Sequence, residues 1–268
     1  MSALGEPSFA WEPLTPRGVA VFARASFERL FIVQAVFALL AAAVVVWFLS
    51  SGIFPVIDEA IDELPETGSL HGGRLDWRDD SPVALAENRL LAIGVDLAHT
   101  HQWRSPAHFQ LEFGRDSLVV ISLLGEAEWD YPTGYIVAAN RTEAHPAWGA
   151  WSPNILGLAA IGTFFGLMLV WALLATLYCL PVWLTCFFAN RDLNLRACWR
   201  LAGAALMPGA LVMSLALVFY GVGVFDLVQL SFAFGMHLVI GWVYLFIGPM
   251  FLNRALPAEK KNPFGKSS

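Results

Sequence analysis

Four stretches of this 268-residue chain contain no charged residue: 30–54, 155–188, 201–225 and 227–253. A helix that crosses a bilayer needs about 20 mostly apolar residues, and each stretch meets that length. Composition agrees. Only 14% of the residues are charged against 57% hydrophobic, whereas soluble domains carry about 25% charged residues. The chain reads as an integral membrane protein. The expected fold class is a membrane all-α bundle of four transmembrane helices with a small inserted extracytoplasmic β-domain. Four spans occupy roughly 100 residues by the same length rule, which leaves one small extramembrane domain and short tails.

Charge orients the chain. Residues 57–152 hold 16 Asp and Glu against six Arg, and the rest of the sequence holds ten Lys and Arg against six acids. Basic residues collect beside membrane helices on the cytoplasmic face. Arg17, Arg24 and Arg29 precede the first run, Arg191, Arg196 and Arg200 lie between the second and third, and Arg254, Lys260, Lys261 and Lys266 follow the fourth. All ten share one face if both termini are cytoplasmic. The expected location is therefore the bacterial cytoplasmic (inner) membrane, multi-pass, with the acidic segment outside. An acidic domain lacks the basic footprint that phosphate contacts require, so nucleic acid is not an expected partner. The first run starts too late and runs too long for a signal peptide, and it reads as an uncleaved anchor.

The resulting organisation is a cytoplasmic tail (1–23), a first helix (24–56), an acidic β-domain (57–152), helices two to four (153–253) with a cytoplasmic interfacial segment (181–199), and a basic tail (254–268). Ile57, Ile61 and Leu64 recur at helical spacing and predict a short amphipathic turn on the outer surface. Beyond it the period changes to two: 74–78, 91–97, 109–113, 118–124 and 135–138 predict strands, antiparallel given their short connections. Thr67 to Gly73 reads as a loop. Trp148 and Trp151 suit the membrane interface just before helix two. Pro181 is expected to kink or end that helix.

Several residues are candidates for chemistry. His237, in the middle of the fourth run, is the one ionisable side chain inside a membrane segment, and such residues mark function by default. The alternative is a neutral His bonded across a helix interface. Pro208, within Met207-Pro208-Gly209, could break the third helix and free backbone carbonyls for a substrate. Asp96, His99 and His101 form the most metal-like cluster, because His residues two apart on a strand point the same way; a third and fourth ligand are not evident. His71, His108 and His145 share that domain. Gly162 and Gly166 allow close helix approach, either within the chain or in a homo-oligomer. Asn140-Arg141-Thr142 matches the N-glycosylation pattern. Cys179, Cys186 and Cys198 all lie outside the acidic domain and read as small apolar residues. No Ser-His-Asp order, nucleotide loop or HExxH pattern occurs, so no enzyme activity, catalytic residue, cofactor or resident metal is expected.

The order of parts resembles a family of uncharacterised bacterial membrane proteins, some described as maltodextrin-utilisation membrane proteins. The residues that carry the resemblance are Gly72-Gly73-Arg74-Leu75-Asp76, the stretch from Ser81-Pro82-Val83 to Ala92-Ile93-Gly94-Val95-Asp96, and Arg115-Asp116-Ser117-Leu118-Val119-Val120. It implies a basic N-terminal segment, one helix, an external β-domain and a helical bundle. Arg200, Ala204 and Pro208 also resemble the pattern of Yip1-like membrane bundles. Neither resemblance supplies a catalytic residue. The leading expectation is a non-enzymatic accessory protein of the cell envelope, embedded in the lipid bilayer, whose external domain binds a partner protein or a ligand. The alternative is a small transporter or channel subunit using the Pro208 break and His237. A third reading, a membrane-bound metal-dependent enzyme, requires metal at the His-rich stretch.

Overall fold

Among the described residues, four helices are long and apolar enough to cross a membrane: Phe27–Asp62, Arg141–Phe188, Leu195–Gly221 and Leu227–Phe251. The structure is a computed structural model, and it describes residues 12–77, 80–100, 102–191 and 193–254. The chain divides into two compact units. One is helical, formed by Met1–Ala41, Phe164–Ala216 and Ser231–Ser268; the other holds all the strands, within Ala42–Thr163 and Leu217–Leu230.

The helical unit begins earlier than the sequence suggests. Helix α1 (Pro16–Phe22) is capped by the Thr15 hydroxyl, which accepts the Gly18 N–H at 3.0 Å, and Pro16 sits in the first turn, where its missing N–H costs nothing. Val19, Ala20 and Phe22 are buried, so this segment is core rather than tail. Helix α2 (Phe27–Phe48) follows. Helix α4 (Arg141–Phe188) does not stop at Leu180: it runs through Pro181. A proline removes only one backbone bond of the ladder, and the rest of the helix continues past it. Thr185 donates its hydroxyl to the Pro181 carbonyl at 2.9 Å. The expected interfacial segment 181–199 is therefore mostly helix: its first part completes α4 and its last part opens α5 (Leu195–Ala205), which is capped by Asn194.

Helices α5 and α6 (Met207–Gly221) are separated at Leu206, and α7 (Leu227–Ile247) ends in a 3₁₀ turn, Gly248–Phe251. Leu30, Leu201, Met207 and Leu245 are fully buried in this unit, with Ala175, Ala202, Ala204 and Ala205 among them. Small residues let the backbones close up. Gln34, 1% exposed, donates to the Gly203 carbonyl at 3.4 Å. Elsewhere large apolar side chains face outward: Leu158, Phe188 and Phe232 are each at least 70% exposed. A fully exposed side chain of this size costs about 1.5–3 kcal/mol in water, a cost that a surrounding bilayer would remove.

In the strand-bearing unit, the helix begun by α2 passes through a π-helical turn (Leu49–Ile53) into α3 (Phe54–Asp62). The Ser50 and Ser51 hydroxyls donate to the Trp47 carbonyl in this turn. The amphipathic segment anticipated around Ile57 is thus the continuation of the first helix, not a separate element. Among the described residues eight strands follow: β1 (Ser69–His71), β2 (Arg74–Asp76), β3 (Val83–Glu87), β4 (Leu91–Val95), β5 (Phe109–Phe113), β6 (Ser117–Ser122), β7 (Gly125–Asp130) and β8 (Ile136–Ala138). They form a three-stranded antiparallel sheet, β2-β1-β8, and a five-stranded sheet, β3-β4-β5-β6-β7. One pair departs from the antiparallel expectation: β4 and β5 run parallel, Leu91 opposite Phe109 through Val95 opposite Phe113. A parallel pair needs a crossover, and residues 96–108 supply it.

Helix α4 starts at Arg141 because this unit holds its first turns. Asn140 accepts the Glu143 N–H at 3.0 Å and donates to the Gly68 carbonyl at 3.3 Å. Arg141 pairs with Asp62 at 3.0 Å, and the Trp148 indole donates to Asp58 at 2.6 Å. Trp148 and Trp151 are therefore inside the helix, not before it. The glycosylation-like Asn140 is its cap.

Candidate functional site: an apolar cavity beside a buried polar network

The two sheets and α3 do not close completely on one another. They leave between them a partly open cavity of about 340 Å³. Its wall comes from Ile57, Ala60 and Ile61 of α3, Leu70 and Leu75 of the small sheet, and Leu85, Ile93, Val95, Leu111 and Phe113 of the large one. Ligand sites span roughly 300–1,000 Å³, and an apolar cavity of this kind stays dry when empty. Val137 lines it while 52% exposed, which places an opening at edge strand β8. Tyr131 is the hydroxyl in the wall, and it donates to the Gly114 carbonyl at 3.1 Å. Burial, reinforced by Asp116, pushes its phenol well above the ordinary range, so it stays neutral. An occupant thus meets hydrocarbon rather than free hydrogen-bonding groups.

The opposite face of β5 carries Gln110 and Glu112, both buried. The crossover from β4 covers them. His99 there has φ +47°, a left-handed conformation that few non-glycine residues adopt. Its ring reaches Glu112 Oε1 through Nδ1 at 2.8 Å and Ser117 Oγ through Nε2 at 3.0 Å. Gln110 Nε2 donates to the other Glu112 oxygen at 3.3 Å, and Ser117 lies 2.6 Å from Glu128 Oε1. A side chain at Gly114 would strike the imidazole, since its Cβ would sit 2.0 Å from His99 Nε2. Gly114 is the gap the ring occupies.

Glu112, His99 and Ser117 stand in the order of a charge-relay triad, but the Ser117 hydroxyl donates to Glu128 Oε1 at 2.6 Å rather than being offered through His99. Ser117 is 4% exposed and bridges two groups instead of presenting a nucleophile. The network ties β5, β6, β7 and the crossover together.

The other candidates separate. Asp96 is buried; it accepts the Thr100 hydroxyl at 2.7 Å and its own turn's Ala98 N–H. His101 lies outside the described residues. Among the described residues no three His, Cys, Asp or Glu side chains are placed to hold a metal. His237 bonds the Phe234 carbonyl of its own helix through Nδ1. Pro208 is the second residue of α6, where no helical bond is lost. Nothing lies within 4 Å of a Cβ placed on Gly162 or Gly166, so these glycines are not clearing room for another helix of the chain. Cys179 donates to the Leu195 carbonyl, and Cys186 and Cys198 are buried.

One cluster was not anticipated. Arg89, in the β3–β4 turn, donates to the Tyr220 and Phe225 carbonyls and lies 5.4 Å over the Tyr220 ring. His108 stacks on the same ring and meets the Tyr220 hydroxyl through Nδ1 at 2.8 Å. Burial, with Arg89 adding to it, holds His108 below the usual imidazole range despite the opposing Asp226 carboxylate. A neutral Nδ1 accepts the phenol proton; a charged ring cannot. The unfolded chain then binds the proton more readily, so stability is full above about pH 6.5 and falls as pH drops below it. We expect the full chain to lose more melting temperature between pH 7.5 and 5.5 than a His108→Phe variant does; equal losses would exclude His108 as the cause.

No protein-family model, curated protein or solved structure matches this chain.

Proposed function

We propose that this chain is a non-enzymatic accessory protein of the bacterial inner membrane, anchored by four spans with both termini cytoplasmic, whose external β-domain holds an apolar ligand of the acyl-chain type. The observation that carries the reading is the apolar cavity of about 340 Å³ between α3 and the two sheets. A filled core packs without voids of this size, and its wall presents no uncommitted polar group to select a polar molecule. The four long apolar helices and the acidic composition of 57–152 support the anchoring and orientation. Partner proteins would read the ligand's presence through exposed apolar residues of the edge strands, such as Ile136 and Trp129.

The test is photo-crosslinking of the full chain in lipid nanodiscs with a fatty acid carrying a diazirine at its chain end. Labelled peptides should include 57–64 and 109–113. Ala60→Phe, which places a ring in the cavity, should abolish labelling of both while leaving labelling of the membrane helices intact. Absence of label from these peptides in the wild-type chain would defeat the proposal.

A further inference from the structure

A second cavity, of about 250 Å³, lies in the helical unit and has the opposite character. It is lined by Arg17, Ala20, Val21 and Arg24 from α1 and the turn after it, and by Phe251, Leu252 and Asn253. Arg17 from α1 and Arg24 from the turn after it both line this cavity. Among the described residues no carboxylate lines the cavity, and neither guanidinium has an ion-pair partner. The Arg17 guanidinium lies 5.7 Å over the Phe251 ring, which fixes its plane and leaves its edge donors available.

Two neighbouring arginines do different work. Arg191 donates to the Leu252 and Met250 carbonyls. Arg200 donates to the Ala23 carbonyl at 2.7 Å and lies 4.9 Å over Phe27. These bonds pin the two walls, so the cavity keeps its shape while Arg17 and Arg24 supply its charge. The cavity also adjoins Phe251, the last residue of a membrane-length helix. A helix end of that kind is where lipid headgroups lie.

We propose that Arg17 and Arg24 bind the phosphate of an anionic phospholipid headgroup. Guanidinium forks match phosphate oxygens, and basic pockets beside membrane helices recognise anionic headgroups. Free phosphate shares this chemistry. The lipid is favoured because Val21, Phe251 and Leu252 give the cavity an apolar side, which a lipid covers and an inorganic ion leaves bare.

The experiment uses the full chain in nanodiscs of mixed phosphatidylcholine and phosphatidylglycerol, with retained lipid counted by native mass spectrometry. The wild type should retain phosphatidylglycerol in preference to phosphatidylcholine by about tenfold or more, at roughly 1 kcal/mol per arginine. The preference should vanish in Arg17→Gln/Arg24→Gln and persist in Arg104→Gln/Arg115→Gln, which removes the same charge elsewhere. Millimolar inorganic phosphate should not displace the lipid. If the first double variant does not fold, Arg24→Gln alone should lower the preference several-fold. An unchanged preference in a folded variant, or displacement by phosphate, would overturn the proposal.

Discussion

Replacing Glu112 by Ala should destabilise the β-domain by about 2 kcal/mol, the scale for leaving buried hydrogen-bonding partners unsatisfied. Glu112 is fully buried and accepts from both His99 and Gln110. Its loss leaves the His99 ring, whose side chain is only 22% exposed, facing no carboxylate. Gln110 loses an acceptor, and the missing methylene and carboxyl leave a hole. In the covering crossover the Trp103 carbonyl and Ser105 N–H already bond Gln110 and do not replace it. Glu112→Gln keeps the shape and one acceptor and should cost less. Hydrogen exchange of the β5 and β6 amides in the full chain reads the difference, and faster exchange in the Ala variant than in the Gln variant is the expected order. Equal protection in all three proteins would mean the network contributes nothing.

Gly209→Ala should cost about 1–3 kcal/mol, the range for overpacking a close contact. A Cβ at Gly209 would lie 2.4 Å from the His237 carbonyl oxygen and 3.3 Å from its carbon. Both are backbone atoms, so α6 and α7 must separate. Gly235→Ala is the control: it lies in α7, and its Cβ would meet nothing within 4 Å. Detergent-induced unfolding followed by tryptophan fluorescence should show a lower midpoint for Gly209→Ala and an unchanged one for Gly235→Ala. Equal midpoints would contradict the close approach. This contact also gives the 207–209 motif a physical meaning: the glycine admits the neighbouring backbone, and the proline starts the helix that makes the approach.

The four long apolar helices were legible because their signal is the absence of charge over a fixed length, and no tertiary contact can supply or remove it. Their ends were not legible. Pro181 is read as a stop in water, and the helix passes it. The start at Arg141 depends on the Asp58 and Asp62 carboxylates, some eighty residues earlier in the chain. Among the strands, β5 showed its alternation clearly, with Gln110 and Glu112 on one parity. A half-exposed strand was the natural reading, yet both faces are covered, and the polar parity is where the network sits. β7 was missed although Glu126, Ala127, Glu128 and Trp129 alternate, because all six of its residues are exposed and it has no buried face to mark it. The parallel β4–β5 pair depends on the path of 96–108, which alternation does not encode. His99 was singled out for its neighbours in sequence, but its partners are 13 and 18 residues away, and no short motif joins them. The cavity is the difference between the volume enclosed and the side chains that fill it, a quantity no local pattern carries.

The most direct measurement is native mass spectrometry of the full chain extracted with its surrounding lipid from native membranes, comparing wild type with Ala60→Phe. A single apolar molecule bound to the wild-type chain and missing from the variant is the predicted result. Wild-type protein that carries no such molecule, or a variant that retains it, would contradict ligand binding in the β-domain.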